Sequence, residues 1–283
     1  MTHGVWYAIG ALIFYGLGDL VYKRAAMTGV PPHQFMMVQT WFFLSLVTLY
    51  GLVTGTLSVG PPALWGAAAA VFAFTGFYNF AQSLRGGSVS INAPIFRLSF
   101  TVTAALAILF LSEPLTGYKI AGIGTALVAV WLLLGSSDGG TARKTAASSL
   151  LRVIGATVCV GIANLLYKYG LLAGATPASL LVVQAIGAVT MSTSLASYKD
   201  RGIRPVPRVW RFSIAAALLL SSAFVLLLEG LARGEASVLV PIAQMGFVVT
   251  AAVGFIFLRE PFTLRKGLGL VAALAALASL ARS

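Results

Sequence analysis

One segment of this chain occurs twice. Residues 16–39 align without a gap with residues 161–184, at an offset of 145 positions, and the two copies share eight identities. The shared residues include Gly16 with Gly161 and the Tyr22-Lys23 pair with Tyr167-Lys168. Such collinear matches of Gly, Tyr, Lys, Pro and Gln are not explained by apolar composition alone.

A second pair of segments extends the duplication. Residues 84–129 align with residues 231–276 at an offset of 147, which places Glu113-Pro114 on Glu260-Pro261. The sequence therefore predicts two copies of one unit, residues 1–140 and residues 141–283.

The composition predicts an all-α integral membrane protein. Of the 283 residues, 59% are hydrophobic and only 9% are charged, whereas soluble proteins carry roughly 25% charged residues. Within a bilayer the backbone must satisfy its own hydrogen bonds, so apolar runs of ~20 residues indicate helices. The single cysteine, Cys159, excludes a disulfide framework. The net charge of +12 lies in short links between apolar runs, which indicates membrane topology and argues against nucleic-acid binding.

The apolar runs predict ten transmembrane helices, five in each copy. Because five is odd, the second copy enters the membrane from the opposite side, so the repeat is inverted. Transporters built in this way bind their substrate near the midplane, between the halves. The predicted spans are 5–23, 34–54, 63–82, 89–111, 117–135, 151–171, 178–198, 210–230, 236–258 and 264–281.

The basic residues predict the orientation. With ten spans, fourteen Lys and Arg residues fall in the links on one side. The side that holds both termini has three, with Lys168 at the margin. By the positive-inside rule both termini lie outside the cytoplasm. We expect a multi-pass protein of a bacterial inner membrane.

Two ionisable residues lie inside predicted spans. A charged side chain at a helix centre costs about 2.5 to 3.5 kcal/mol on insertion scales, so Asp19 and Arg97 need a function or a partner. Their counterparts in the second copy are Asn164 and Gln244. One hypothesis is that Arg97 binds an anionic group of a substrate, while Asp19 binds a cationic group or a coupling proton. The alternative is a structural ion pair between neighbouring helices.

Neutral polar residues and prolines form a second set of candidates. Interhelical hydrogen bonding is the usual role of the polar residues, and lining of a pathway is the functional alternative. The prolines either kink spans four and nine at the central walls or are tolerated in first turns without consequence. These candidates are Gln39, Asn79, Gln82, Asn92, Pro94, Gln184 and Pro241. Two aromatic residues near them in sequence, Tyr78 and Phe96, are candidates for the lining of an apolar pocket.

Other charged residues lie near predicted span ends. Glu229, Arg233 and Glu235 form either a solvated interfacial cluster or a gate. Lys23 and Lys168 are expected to extend toward the membrane surface. The two Glu-Pro pairs, which end one span and begin the next, are expected to be architectural. No metalloprotease, Walker or nucleophile-elbow motif is present in the sequence, so we expect no enzyme activity.

The 5+5 inverted duplication and the motifs that close spans four and nine resemble the drug/metabolite transporter superfamily, specifically its ten-helix EamA-type branch. The motifs are Ala93-Pro94-Ile95 through Glu113-Pro114 and Val240-Pro241-Ile242 through Glu260-Pro261. The resemblance implies a basket of ten helices in which helices three, four, eight and nine line a central cavity. It also implies export of metabolites such as amino acids or drugs. The residues that this places on the wall are Tyr78, Asn79, Gln82, Asn92, Pro94, Arg97, Pro241 and Gln244.

The chain departs from relatives in two respects. Many members of the branch carry basic residues between helices two and three, whereas residues 55–62 are uncharged here. The membrane-buried acid of small multidrug transporters would fall near Tyr15 and not at Asp19, so proton coupling does not carry over.

We therefore expect a secondary carrier that exports a small organic metabolite, amino acid-like or drug-like, by alternating access. The alternatives are an importer or exchanger of anionic metabolites and, from another class, a membrane scaffold or lipid-handling subunit without transport. We expect no cofactor, and a proton remains a candidate coupling ion. The expected partners are the small-molecule substrate and membrane lipids, in a monomer or a homodimer.

Overall fold

The computed structural model describes residues 2–58, 60–86, 92, 95–134, 147–249, 252–253 and 264–282. Across these residues the regular secondary structure is helical and no strand occurs. The α-helices are α1 (Thr2–Met27), α2 (Pro32–Val53), α3 (Trp65–Gly86), α4 (Ser99–Phe110), α5 (Gly117–Leu134), α6 (Ala147–Leu172), α7 (Pro177–Asp200), α8 (Pro207–Leu231), α9 (Ala236–Gln244) and α10 (Leu264–Leu280).

Six helices are long and apolar enough to cross a membrane, namely α1, α2, α3, α6, α7 and α8. Four shorter apolar helices accompany them in the described ranges, at Ile95–Phe110, Gly117–Leu132, Ala236–Val249 and Gly267–Leu280. Predicted spans four and nine extend over residues that the structure does not describe. A short 3-10 helix, Pro61–Leu64, marks the predicted break before α3.

The two halves of the chain pack against each other through equivalent helices. The predicted repeat counterparts α2 and α7 are in contact, and so are α5 and α10. The α1–α8 contact is the counterpart of the α3–α6 contact, and both are among the most extensive in the molecule. The core is therefore formed between the halves and not within each of them.

Counterpart helices run in opposite directions. At one end of the α2–α7 pair, the His33 ring lies 2.9 Å from Asp200. Further along α2, the Thr40 hydroxyl lies 2.7 Å from the Ser192 hydroxyl, on an earlier turn of α7. The α5–α10 pair is also antiparallel, because Ser279 donates to the Tyr118 carbonyl and Arg265 donates to the Trp131 carbonyl.

The duplicated glycine serves the same packing role in both halves. A Cβ atom at Gly16 would clash with the Gly246 carbonyl and would lie 2.6 Å from the Val249 Cβ. A Cβ atom at Gly161 would lie 2.5 Å from Val102 Cγ1 and 3.3 Å from the Ser99 carbonyl. Since Ser99 and Val102 are the counterparts of Gly246 and Val249, each glycine allows the same close approach. Small residues are typical of such contacts in membranes.

Candidate functional site

The two ionisable residues predicted within spans form an ion pair at the junction of the halves. The Arg97 guanidinium pairs with the Asp19 carboxylate of α1. Its other terminal nitrogen donates to the Gln244 side-chain oxygen at 3.0 Å. Arg97 is only 4% exposed, whereas the Asp19 side chain is 28% exposed. The predicted possibility of a pair between these residues is confirmed.

A helix is interrupted by a turn directly after each of two site residues, Arg97 and Gln244. In the first repeat Arg97 ends a short helical segment, and a turn at Leu98 separates it from α4. In the second repeat Gln244 ends α9, and a turn that begins at Met245 separates it from the helical residues 247–249. The Leu98 amide donates to the Ile95 carbonyl, and the Met245 amide donates to the Ile242 carbonyl, both at 3.1 Å. These are equivalent i−3 bonds in the two copies. Helices broken in this way at repeat junctions are typical of transporter binding sites.

A small cavity lies against the ion pair and is lined mainly by aromatic rings. Its volume of about 20 Å³ accommodates about one water molecule. The Phe80 and Phe96 rings stack with their centroids 3.9 Å apart. The lining residues are Tyr15, Gly18, Asp19, Tyr22, Phe77, Phe80, Phe96, Arg97, Leu220 and Gln244.

Several predicted site residues lie at this cavity. Asp19, Phe96, Arg97 and Gln244 line it. Gln39 lies behind the wall, where its side-chain oxygen accepts a hydrogen bond of 2.7 Å from the Tyr22 hydroxyl.

Four other predicted residues do not line this cavity. The Tyr78 hydroxyl accepts hydrogen bonds from Gln82 and from Lys199 of α7, each at 2.6 Å. Asn79 accepts a hydrogen bond from Arg152 at 3.3 Å. Asn92 is fully buried and donates to the Ser83 carbonyl and the Ser149 hydroxyl. These contacts fasten α3 to α6 and α7.

The remaining predicted residues are dispersed. Asn164 donates to the Thr103 hydroxyl at 3.2 Å. Gln184 is buried, and its side-chain oxygen has no hydrogen-bond partner in the described part of the chain. Pro241 is buried within α9, while Pro94 lies outside the described residues. No group of three or more potential metal ligands occurs within the described ranges.

The cavity also contains residues that the sequence did not single out as site candidates. Tyr15, Tyr22, Phe77 and Phe80 form much of its wall. One signal was present, because Tyr22 and Gln39 are both identical between the repeats and are hydrogen-bonded here. The spacing of Phe77 and Phe80 is compatible with one helical face, but membrane helices carry such pairs toward lipid as well.

Two comparisons place the chain among known proteins. A solved crystal structure superposes on it with a TM-score of 0.82, covering 98% of both chains at 14% sequence identity, and this shows a shared fold alone. An uncharacterized protein of Methanocaldococcus jannaschii is 31% identical over 91 residues. That alignment covers 32% of this chain and 66% of the relative.

The model of the EamA-like transporter family matches the chain twice, at residues 2–135 and 147–282. The two matches together cover nearly the whole sequence. They bear out the resemblance seen in the Glu-Pro motifs. The chain is a multi-pass membrane protein and belongs to the EamA-like transporter family.

Proposed function

We propose that this protein is a secondary active transporter that moves a small organic metabolite, amino acid-like or drug-like, by alternating access. The proposal includes ten membrane crossings in two inverted five-helix halves. The antiparallel packing of α2 on α7 and of α5 on α10 supports inversion, because a repeat in the same orientation would make counterpart helices parallel.

The observation that carries the proposal is the buried Arg97 at the junction of the halves. Arg97 donates to Gln244, which is its own repeat counterpart, so the two residues lie at the pseudo-two-fold axis. In an inverted repeat this axis lies in the membrane plane, where substrate sites of such carriers occur. A guanidinium can bind a carboxylate through two parallel hydrogen bonds. Asp19 in turn offers a carboxylate to a cationic group or to a coupling proton.

The ion pair and the solute would occupy the site alternately. A cavity of about 20 Å³ is far too small for a metabolite, so the described conformation is closed around the site. Entry of a substrate would displace Asp19 or Gln244 from Arg97 and separate the aromatic rings. Because the site supplies both charges itself, it stays neutral when empty, which lowers the cost of an unoccupied buried charge.

We propose that the net transport is outward. Tyr22 lines the substrate cavity and also a second cavity, which reaches Val30 in the link between α1 and α2 and Pro32 at the start of α2. We call this end of the bundle the basic face, since it also carries the link with Arg201 and Arg204. With the basic face in the cytoplasm and both termini outside, the second cavity would offer the solute a route from the cytoplasm to the Arg97 site of an exporter in the bacterial inner membrane.

Counterflow in proteoliposomes tests this function. Vesicles loaded with an unlabelled solute are expected to accumulate the same labelled solute transiently, for at least one member of a panel of amino acids, sugars, nucleosides and organic cations. Vesicles with protein but without internal solute are the control. A folded protein that shows no counterflow with any of these classes would contradict the proposal and favour a non-transporting role.

Two tyrosines of neighbouring helices provide a matched test of the cavity wall. We expect Tyr22→Phe to weaken the apparent affinity for the solute by several fold, because Tyr22 lines the cavity and its hydroxyl holds the ring in place through the hydrogen bond to Gln39. The loss of a single neutral hydrogen bond corresponds to about 0.5–1.5 kcal/mol. Tyr78→Phe is the control, since Tyr78 does not line the cavity; the KM of each variant is measured by initial uptake. A larger effect at Tyr78 would show that the substrate site lies elsewhere.

A further inference from the structure

A second cluster of charged residues lies at the opposite end of the bundle from the basic face. We call this end the terminal face, because Val5 of α1 and Leu280 of α10 line one small cavity there together with Glu235. The cluster joins the α4–α5 link of the first repeat to the start of α9 in the second. It is separate from the Arg97 site.

Glu113 binds the N-terminus of α9 across the repeat boundary. Its carboxylate accepts hydrogen bonds from the Ala236 and Ser237 amides, each at 2.8 Å, and from the Ser237 hydroxyl. Glu113 is only 8% exposed. A carboxylate at a helix N-terminus is favoured by the unpaired amides and the helix dipole. Thus a residue 123 positions earlier in the chain caps α9.

Lys119 fastens the same region from α5. Its ammonium pairs with Glu235, the residue directly before α9, and donates to the Pro114 carbonyl at 2.7 Å. Lys119 is fully buried, which is rare for a lysine. A buried ammonium has lost its hydration, so the loss of one contact leaves a poorly compensated charge. We therefore expect the contacts of Lys119 to break together, when water reaches the ammonium.

Lys168 of α6 holds the link between α8 and α9. Its ammonium donates to the Leu231 and Gly234 carbonyls, each at 2.7 Å. Lys168 therefore contacts protein carbonyls at this end of the bundle. Lysines from both repeats thus hold this link, and Glu113 holds the helix that follows it.

We infer that Glu113, Lys119, Glu235 and Ser237 form the gate that closes the substrate pathway at the terminal face. The inference rests on the proposed alternating access. Gln244 lies at the other end of α9, so release of the Ser237 end would let this helix move away from α4 and Arg97. Together with Lys168 on the adjoining link, the gate residues supply two carboxylates and two ammonium groups. These charged groups become hydrated when the gate opens.

The gate can be tested by thiol labelling that needs no substrate. Ala243 is fully buried on α9 between Ser237 and Gln244. A single cysteine is introduced by Ala243→Cys in a Cys159→Ser background, and a membrane-impermeant thiol reagent is applied at the terminal face. The side on which exposed His3→Cys is labelled identifies that face. We expect Glu113→Gln and Lys119→Met each to raise the labelling rate about tenfold or more, since a charge-assisted contact is lost.

Glu229→Gln is the matched control. Glu229 also lies near the terminal face, but it accepts a hydrogen bond from Tyr50 of α2 and pairs with Arg233. Among the described residues it forms no hydrogen bond or ion pair with α9. We expect its labelling rate to equal that of the background. Ser237→Ala removes one hydroxyl and serves as the milder variant if Glu113→Gln does not give a monodisperse protein.

The outcomes separate the gate from the transport function. Unchanged labelling in folded Glu113→Gln and Ser237→Ala variants would overturn the gate, even if counterflow is observed. Equal acceleration in Glu229→Gln would also overturn it, because this would indicate general loosening. Faster labelling in the gate variants alone, with no counterflow of any solute in the parent protein, would overturn the proposed transport and leave the gate in place.

Discussion

Arg97→Gln is expected to abolish counterflow while the protein remains inserted and folded. The substitution places in the first repeat the residue that its counterpart, Gln244, already has. Among the described residues that line the cavity, Arg97 is the only charged hydrogen-bond donor. The substitution removes this donor and the ion pair to Asp19. Truncating one partner of a buried charged interaction costs about 2–5 kcal/mol in binding, or roughly 30-fold to several-thousandfold in affinity.

A structural ion pair would also be damaged by this substitution, so a second variant is needed. Breaking a buried pair costs about 3–5 kcal/mol of stability because one charge is left without its partner. The partly exposed Asp19 carboxylate reduces this cost. The double variant Asp19→Asn/Arg97→Gln removes both charges and gives the first repeat the residues Asn164 and Gln244 of the second.

The double variant distinguishes the two interpretations. If Arg97 binds the solute, the double variant should recover thermal stability relative to Arg97→Gln and still show no counterflow. Counterflow at the parental rate in the double variant would contradict a binding role and identify the pair as structural. Stability is measured by thermal unfolding in detergent, and transport by initial rates at several solute concentrations.

The pairing of Asp19 with Arg97 was predictable from the free-energy cost of burying a charged side chain in a membrane. An unpaired charge in a membrane helix is expensive, and two opposite charges at related depths are natural partners. The duplication also predicted where their uncharged counterparts lie. The third member, Gln244, follows from the same alignment because counterparts can meet at the axis of an inverted repeat.

The residues of α3 show why polarity alone does not locate a cavity in a membrane protein. The resemblance implied that Tyr78, Asn79 and Gln82 line a cavity, with interhelical hydrogen bonding as the usual role of such residues. In the structure Tyr78 accepts hydrogen bonds from Gln82 and Lys199, and Asn79 accepts one from Arg152. Phe77 and Phe80 of the same helix line the cavity instead. In a soluble helix, hydrophobic periodicity separates the buried face from the exposed one. When lipid and core are both apolar, this contrast is lost.

The contact of Glu113 with α9 was not predictable from the motif. The repeated Glu-Pro pair indicated an architectural position at the end of a span, and proline suits the first turn of a helix. The partner amides, however, belong to a helix of the other repeat. The sequence gives no measure of which helix ends meet at a face of the bundle. Its second copy, Glu260-Pro261, lies outside the described residues.

Gly16→Ala is expected to destabilise the protein and to lower counterflow strongly. A Cβ atom at this position would clash with the Gly246 carbonyl and approach the Val249 Cβ to 2.6 Å, so α1 would have to move. Adding a methyl group to a closely packed contact typically costs about 1–3 kcal/mol. Here the neighbour is backbone, which cannot adjust by a change of rotamer. Displacement of α1 would also shift Tyr15 and Asp19, which line the cavity.

Gly124→Ala in α5 is the control for this prediction, because an added Cβ atom meets no atom within 4 Å. Alanine favours a helix over glycine by about 0.8–1.0 kcal/mol, so this variant should be as stable as the parent or slightly more stable. The thermal unfolding midpoint of Gly16→Ala should fall by several degrees, and its initial rate of counterflow should fall with it. A Gly16→Ala protein with both the parental midpoint and the parental rate of counterflow would show that α1 does not pack on the turn after α9 through Gly16 and Gly246. An unchanged midpoint together with lost transport would instead show that the two helices separate and rejoin at this contact during the cycle, so that the methyl group blocks only a conformation other than the one described.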